Sequence, residues 1–451
     1  MHNILKYIKY SLILLLMPLV LTGVLPKEAG ALLPREDARL IAESEEPLTR
    51  RIYSYDMGID SSGDVHIVYS KPFDNRTARI FYVRRVAGTW ASTLLTASGF
   101  RGSVSTFLEV DDRDRIHICY IKDEGSSEGL YYTVLHNGVV EKQETFVDRG
   151  GWHTRMQLDG NGYPVFIRDN ETWPDRKSNL ALVTTQDGAT WNSDYLPLPN
   201  VPKFRIADFL VENGVYHITY GDSAYVRPVL DGHGSTTYVD GIFHNLWYAR
   251  SQSGSNWTAP VLLDGSGTLY DREYWTAMAL DGGNPLVSMY KYNEYGGKYA
   301  TGTSAILIRF SGGAWLKKTI TGTDYPNTRE GMGMGLVVNG PGDYFGVWNY
   351  SPDYIIPDDE FTNSGNTALA RSGSSGDWTA KAQVDPFSLE GKAKLKIQGN
   401  RLFLLALGNA LDTKLYFREY NMFALGNALS ASGGGGTGTV LPAIYNILMK
   451  Q

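Results

Sequence analysis

A unit of about 50 residues recurs along this chain, and it constrains the fold more than any other property of the sequence. Each unit opens with an alternating strand that ends in a turn, as in Met57-Gly58-Ile59-Asp60-Ser61-Ser62-Gly63, Leu108-Glu109-Val110-Asp111, Met156-Gln157-Leu158-Asp159-Gly160-Asn161-Gly162 and Met278-Ala279-Leu280-Asp281-Gly282-Gly283. Asp followed by Gly is hairpin chemistry. A short apolar strand follows in seven copies: Val65 to Tyr69, Ile116 to Tyr120, Pro164 to Ile167, Tyr216 to Tyr220, Leu286 to Tyr290, Tyr344 to Trp348 and Leu402 to Leu405. A third strand also comes in seven copies: Ile80 to Arg84, Leu130 to Val134, Leu180 to Thr184, Leu246 to Arg250, Ala305 to Arg309, Ala368 to Arg371 and Leu415 to Arg418. The fourth follows a Gly turn and usually opens with Trp, as at Trp90, Trp191, Trp257, Trp315 and Trp378.

Four strands per unit, seven times over, predict an all-β chain: a seven-bladed β-propeller of four-stranded antiparallel blades. Each blade exposes an apolar face that only its neighbours can cover, so the ring must close. Blade seven has a weak fourth strand of its own. The segment Ala38-Arg39-Leu40-Ile41-Ala42 precedes blade one and is expected to supply that strand, closing the ring from the N-terminal side. A surplus of Gly (49), Tyr (29) and Trp (10) among 451 residues suits short strands and tight turns.

The N-terminus carries Lys6 and Lys9, an apolar run from Ser11 to Leu25 interrupted by Pro18, and then Ala29-Gly30-Ala31. This pattern predicts a cleaved signal peptide over 1–31. The propeller is expected over 32–425. A Gly-rich linker with Gly433 to Gly436 and a short apolar tail fill 426–451, and the tail from Val440 to Met449 is too short to span a bilayer. A secreted, periplasmic or cell-surface location follows. Loss of Lys6, Lys9, Lys27 and Glu28 with the leader takes the formal charge from −6 to −8, which disfavours nucleic acid as a partner. Cys119 is the only cysteine, so no intrachain disulfide forms.

The segment Thr185-Gln186-Asp187-Gly188-Ala189-Thr190-Trp191 resembles the Asp-box of sialidase-like BNR repeats, Ser-x-Asp-x-Gly-x-Thr-Trp, with one residue missing between Asp and Gly. Ser251 to Trp257 and Ser372 to Trp378 look like weaker copies without the Asp. In that family the box is a structural turn on the side opposite the binding face, so the resemblance implies fold and not activity. Sialidases have six blades and an early Phe-Arg-Ile-Pro motif. Here Phe204-Arg205-Ile206-Ala207 lacks the Pro and falls in the fourth blade, so no sialidase catalytic residue carries over. The resemblance is also compatible with the seven-bladed propellers of some secreted polysaccharide lyases.

In an up-and-down blade the start of strand one, the link between strands two and three and the end of strand four share one face. The long insertions, about 221–245, 291–303 and 349–366, fall in two-to-three links of blades four, five and six and belong on that face. They are rich in aromatic residues: Tyr225, Tyr238, Phe243, Tyr292, Tyr295, Tyr299, Tyr350, Tyr354 and Phe361. Such rings stack on sugars, pack on a protein partner or shield strand edges. Arg51, Arg101, Arg155, Arg205, Arg272 and Arg329 stand near the starts of innermost strands, where a planar fork suits carboxylate or sulfate; alternatively each pairs with an acid such as Glu273 or Glu330.

Two clusters carry potential chemistry, Trp152-His153-Thr154-Arg155 and Asp271-Arg272-Glu273-Tyr274-Trp275 with Arg329-Glu330. A lyase acting on uronic acids needs a base, an acid and a cation that neutralises the carboxylate. His153, Tyr274 and Arg272 or Arg329 fit those roles in turn. A hydrolase needs paired carboxylates, for which Asp271, Glu273 and Glu330 are the candidates. His66, His117 and His217 occupy one repeated position and read as structural. His233 and His244, with Asp231 and Asp240, show no recognised metal spacing. No cofactor is expected, and the Asp turns lack the alternating acidic ligands of a calcium loop.

The reading that asks least of these residues is a secreted propeller binding a glycan or anionic polysaccharide on the insertion face, through Arg101, Arg155, Arg205, Arg329, Glu330, Trp152, Tyr292, Tyr295 and Tyr350. The alternatives are a polysaccharide lyase or sialidase-like glycosidase using the same face, and a structural surface protein with an extracellular protein partner.

Overall fold

A computed structural model describes residues 39–43, 52, 54–72, 77–96, 100–101, 105–123, 128–149, 154–172, 177–198, 203–223, 227–230, 236–239, 245–265, 276–295, 299–320, 329–351, 366–372, 378, 382–386, 393–407 and 414–432. Seven four-stranded antiparallel blades follow one another in chain order. Blade one is Ser54–Ile59, Val65–Pro72, Thr77–Val86 and Thr89–Leu94. The first strand of each blade contacts the first strand of the next all the way round, and Ser54–Ile59 also meets Lys394–Gln398 of blade seven, so the seven first strands ring the axis.

Closure occurs as expected. Arg39–Glu43 pairs antiparallel with Lys414–Asn421, with Arg39 opposite Phe417 and Glu43 opposite Lys414, and thereby becomes the fourth strand of blade seven. The core is divided among the blade-to-blade seams. At the closing seam Met57, Ile67 and Tyr69 of blade one pack on Phe403, Leu405 and Phe417 of blade seven. Burying each such side chain contributes roughly 1.5–3 kcal/mol, and no seam can be left open without exposing a row of them.

Polar ties reinforce these seams. Asp56 accepts hydrogen bonds from the amides of Met57 (2.9 Å) and Leu108 of blade two (3.2 Å), and Asp208 repeats the device with Phe209 (3.0 Å) and Met278 of blade five (2.7 Å). Gly58 allows blades one and two to approach, because a β-carbon there would run into Leu108 and Val110. Blades one and two are also stitched by Phe100–Arg101, which pairs with Thr77–Val86 on one side and with Asp123 on the other.

The repeated histidines are structural. His66 Nδ1 lies 2.6 Å from Tyr82 Oη and its Nε2 lies 3.1 Å from Asp60; His117 repeats this with Tyr132 (2.6 Å) and Asp111 (3.3 Å). A carboxylate only accepts, so Nε2 carries the hydrogen and Nδ1 accepts from the tyrosine hydroxyl. His217 keeps Tyr248 (2.7 Å).

The turn Thr185 to Trp191 is held by Asp187, whose Oδ1 accepts from the amides of Ala189 and Thr190, both at 2.7 Å, and whose Oδ2 accepts from the Thr190 hydroxyl at 2.9 Å. Those bonds, the Thr190 amide first, hold the Asp187 carboxyl well below the usual range. Ser251 and Trp257, and likewise Ser372 and Trp378, are joined by an antiparallel bridge, as Thr185 and Trp191 are.

One element is not legible in the strand pattern. Strand three of blade seven runs directly into a helix, Met422–Ser432, capped by Asn421 Oδ1 accepting from the amides of Phe423 and Ala424, both at 3.1 Å. Its Met422, Leu425 and Leu429 pack onto Phe345, Val347 and Leu369 of blade six and Leu402 and Leu404 of blade seven. Among the described residues no helix is long and apolar enough to cross a membrane.

Candidate functional site

The first strands line the axis in two tiers. Counting back four residues from the turn that ends each strand gives an upper tier of Asp56, Phe107, Arg155, Asp208, Ala277, Gly335 and Lys394. The strand-two partners of these residues, Val68, Cys119, Ile167, Thr219, Ser288, Val347 and Leu405, are themselves equivalent, which fixes the alignment. Two residues closer to the turn lies a lower tier of Gly58, Glu109, Gln157, Leu210, Ala279, Val337 and Lys396.

Among the described side chains of these two tiers, charge is confined to one arc, blades seven and one to four. In the upper tier Lys394 Nζ lies 3.0 Å from Asp56 Oδ1, and Arg155 Nε lies 3.8 Å from Asp208 Oδ1. In the lower tier Lys396 Nζ lies 3.5 Å from Glu109 Oε2, while Gln157 Nε2 donates to Glu109 Oε1 at 2.8 Å. Burial pushes the Glu109 carboxyl upward. The Glu109 charge, helped by Asp56, pushes the Lys396 ammonium upward against the opposing effect of its burial. Blades five and six present Ala277, Ala279, Gly335 and Val337 instead, so the channel has a charged wall and a wall of small apolar groups.

Arg155 is the sequence-derived candidate whose side chain is described. It is mostly buried, its Nη1 donates to the Thr154 carbonyl at 2.9 Å, and its Nη2 reaches the Ala207 carbonyl of blade four at 3.4 Å. It therefore spans the upper seam of blades three and four. Arg101 stands on the stitching strand, opposite Thr77 and Asp123, and not on the first strand Thr106–Val110. Arg205 pairs with Gly221, Arg329 with Ser351 and Glu330 with Tyr350, so the last two belong to neighbouring rungs of blade six. Tyr292 pairs with Thr303 and Tyr295 with Tyr299 in blade five. Trp152, His153, Arg272 and Tyr274 lie outside the described residues, as do His233 and His244.

The blade-five insertion is built on an extended ladder. Strands two and three of blade five, Asn284–Tyr295 and Tyr299–Ser311, run 12 and 13 residues, against 8 and 10 in blade one. The blade-four insertion forms a hairpin of its own, Arg227–Leu230 with Thr236–Val239. Among the described residues no group of three or more His, Cys, Asp or Glu is placed to hold a metal ion.

Sequence reasoning missed Lys394, Lys396, Glu109, Asp56 and Asp208. Their signal was present: a charged residue on the apolar alternation of a first strand, visible once the turns are aligned. Arg168 was missed as well. It stands in the middle of strand two of blade three, Pro164–Thr172, where blades one, two and four carry Tyr69, Tyr120 and Tyr220.

No protein-family model matches the chain, and no curated protein does. Solved structures do share its shape. A polysaccharide lyase of family PL25, an ulvan lyase bound to a glucuronic acid and sulfated rhamnose unit, superposes with a TM-score of 0.52 at 12% identity, over 87% of this chain and 99% of that one. A second polysaccharide lyase superposes with a TM-score of 0.51 at 11% identity, over 88% of this chain and 98% of that one. The likeness is one of fold. At such identity the chemistry of those enzymes does not transfer with it.

Proposed function

We propose that this chain is a secreted propeller whose insertion face binds an anionic polysaccharide. The observation that carries the reading is the placement of the extended blade-five ladder and the extra blade-four hairpin on the face where the first strands begin and where Arg155 spans its seam. Long insertions on one face of a rigid ring are where propellers build binding surfaces. The fold likeness to polysaccharide lyases, one of them bound to an acidic glycan, supports a carbohydrate ligand over an extracellular protein.

The same likeness favours cleavage by β-elimination as the second reading, with His153 taking the α-proton, Tyr274 protonating the leaving oxygen and Arg272 neutralising the uronate. The test is incubation with uronic-acid polysaccharides while following the ultraviolet absorbance of an unsaturated uronate, alongside retardation of the protein in gels containing the same polymers. Retardation without absorbance change establishes the binding protein. A rise in absorbance that is lost in His153→Ala and Tyr274→Phe establishes the lyase. Neither effect with any polymer overturns both.

A further inference from the structure

Strand two of each blade carries one repeated position, immediately after the residue that faces the upper tier. In six blades it holds Tyr69, Tyr120, Tyr220, Met289, Trp348 and Ala406; in blade three it holds Arg168. An apolar or aromatic side chain satisfies the ring everywhere else, so the architecture does not require a cation there.

Arg168 is 5% exposed. Its Nε (3.0 Å) and Nη2 (2.8 Å) both donate to one oxygen, Oδ2 of Asp148, at the end of the outermost strand of blade two. Its Nη1 is buried with no hydrogen-bond partner among the described residues. A buried guanidinium is costly even when fully paired, and leaving one nitrogen unpaired adds to that cost. Such costs persist in folds chiefly where a ligand or reaction makes use of them.

The surroundings point to a ligand. Arg168 pairs across the ladder with Thr154, the first residue of strand one, and bonds through its side chain to Asp148. It thus ties the end of strand four of blade two to the start of strand one of blade three, on either side of Trp152 and His153 in the sequence.

We infer that Arg168 Nη1 is the donor by which the protein recognises an oxyanion of the polymer, a carboxylate or a sulfate. This rests on the polysaccharide reading. The guanidinium fork leaves its Nη1 hydrogens in the plane of the Asp148 pair, directed away from it, which suits a second, planar acceptor. Secluded from bulk water, that hydrogen bond is strengthened by a low local dielectric.

The test compares the full-length secreted protein with its Arg168→Met, Arg168→Lys and Asp148→Asn variants. Affinity is read by electrophoresis in gels containing polygalacturonate, dextran sulfate or neutral dextran, and stability by thermal melting. The wild type is expected to bind at least one acidic polymer and not dextran, and the polymer that is bound separates carboxylate from sulfate. Arg168→Met and Arg168→Lys should weaken that affinity by about tenfold or more, the lysine variant keeping its charge but not the fork. Asp148→Asn should lower the melting temperature as far as Arg168→Met while keeping affinity within about threefold. Affinity unchanged in Arg168→Met, or lost equally in Asp148→Asn, overturns the assignment and leaves the polysaccharide reading standing. Binding of dextran alone overturns the assignment and, with it, the anionic character of the proposed ligand. Binding of none of the three polymers removes the polysaccharide reading itself.

Discussion

Lys396 Nζ lies 3.5 Å from Glu109 Oε2, although the lysine belongs to blade seven and the glutamate to blade two. Blade one stands between them in the ring, and its residue at the equivalent tier is Gly58. The pair therefore braces the axis across the seam where the chain closes on itself, in parallel with Lys394 and Asp56.

The Lys396 side chain is 38% exposed and that of Glu109 20%, so the pair lies between a surface and a buried salt bridge. A double-mutant cycle of Lys396→Met and Glu109→Gln should give a coupling of about 1 kcal/mol after solvent screening. Because the Lys396 pKa is raised, its contribution is full below the ordinary lysine value and fades as the pH rises through the higher folded value. The raised Glu109 pKa acts in the carboxylate range with the same sign, favouring the fold below the ordinary value and losing that contribution as the pH rises through the folded one. Chemical denaturation of the four proteins at neutral and alkaline pH checks this, and a coupling of zero removes the brace.

Acid should act through the histidines. Burial depresses His66, His117 and His217, the last to about 4, where Arg250 adds to the effect; Asp60 and Asp111 partly oppose it at the first two. The unfolded chain takes up these protons first, so stability is full above about 6.5 and falls as the pH drops from there toward the folded values. His217 alone should account for roughly 2–4 kcal/mol between pH 7 and 4. Melting curves of His217→Gln are expected to be less stable at pH 7 but flatter with pH. An unchanged slope contradicts the assignment.

Removal of Arg39–Glu43 should open the ring. The strand Lys414–Asn421 then becomes an edge, exposing the side of Leu415 and Phe417 that packs at the closing seam. Unpaired apolar edges recruit strands from other molecules. The shortened protein should elute as oligomers or aggregate in size-exclusion chromatography. A stable monomer with the parent's melting temperature refutes closure by this strand.

The blades were legible because strand period and turn chemistry repeat, so an error in one copy is outvoted by six others. The closing strand was legible for the same reason, as a missing copy in blade seven. The helix Met422–Ser432 was not, because it occurs once and its Met422, Leu425 and Leu429 look like an apolar tail without blades six and seven to cover them. Arg155 was found from its place at a strand start. Glu109, Lys396 and Arg168 were passed over because a charged residue on a strand reads as solvent-facing until the axis or the seam around it is known. The aromatic insertions point to a face from topology, but which of their residues meet there depends on loop geometry that no periodicity encodes.

The proposed ligand face is tested most directly by hydrogen–deuterium exchange of the intact protein with and without polygalacturonate or dextran sulfate. The expected result is slowed exchange over residues 149–156, 221–245, 291–303 and 349–366, with the turns at 60–64, 111–115 and 159–163 unaffected. Slowing confined to those turns, or none in any of the insertions, contradicts the account.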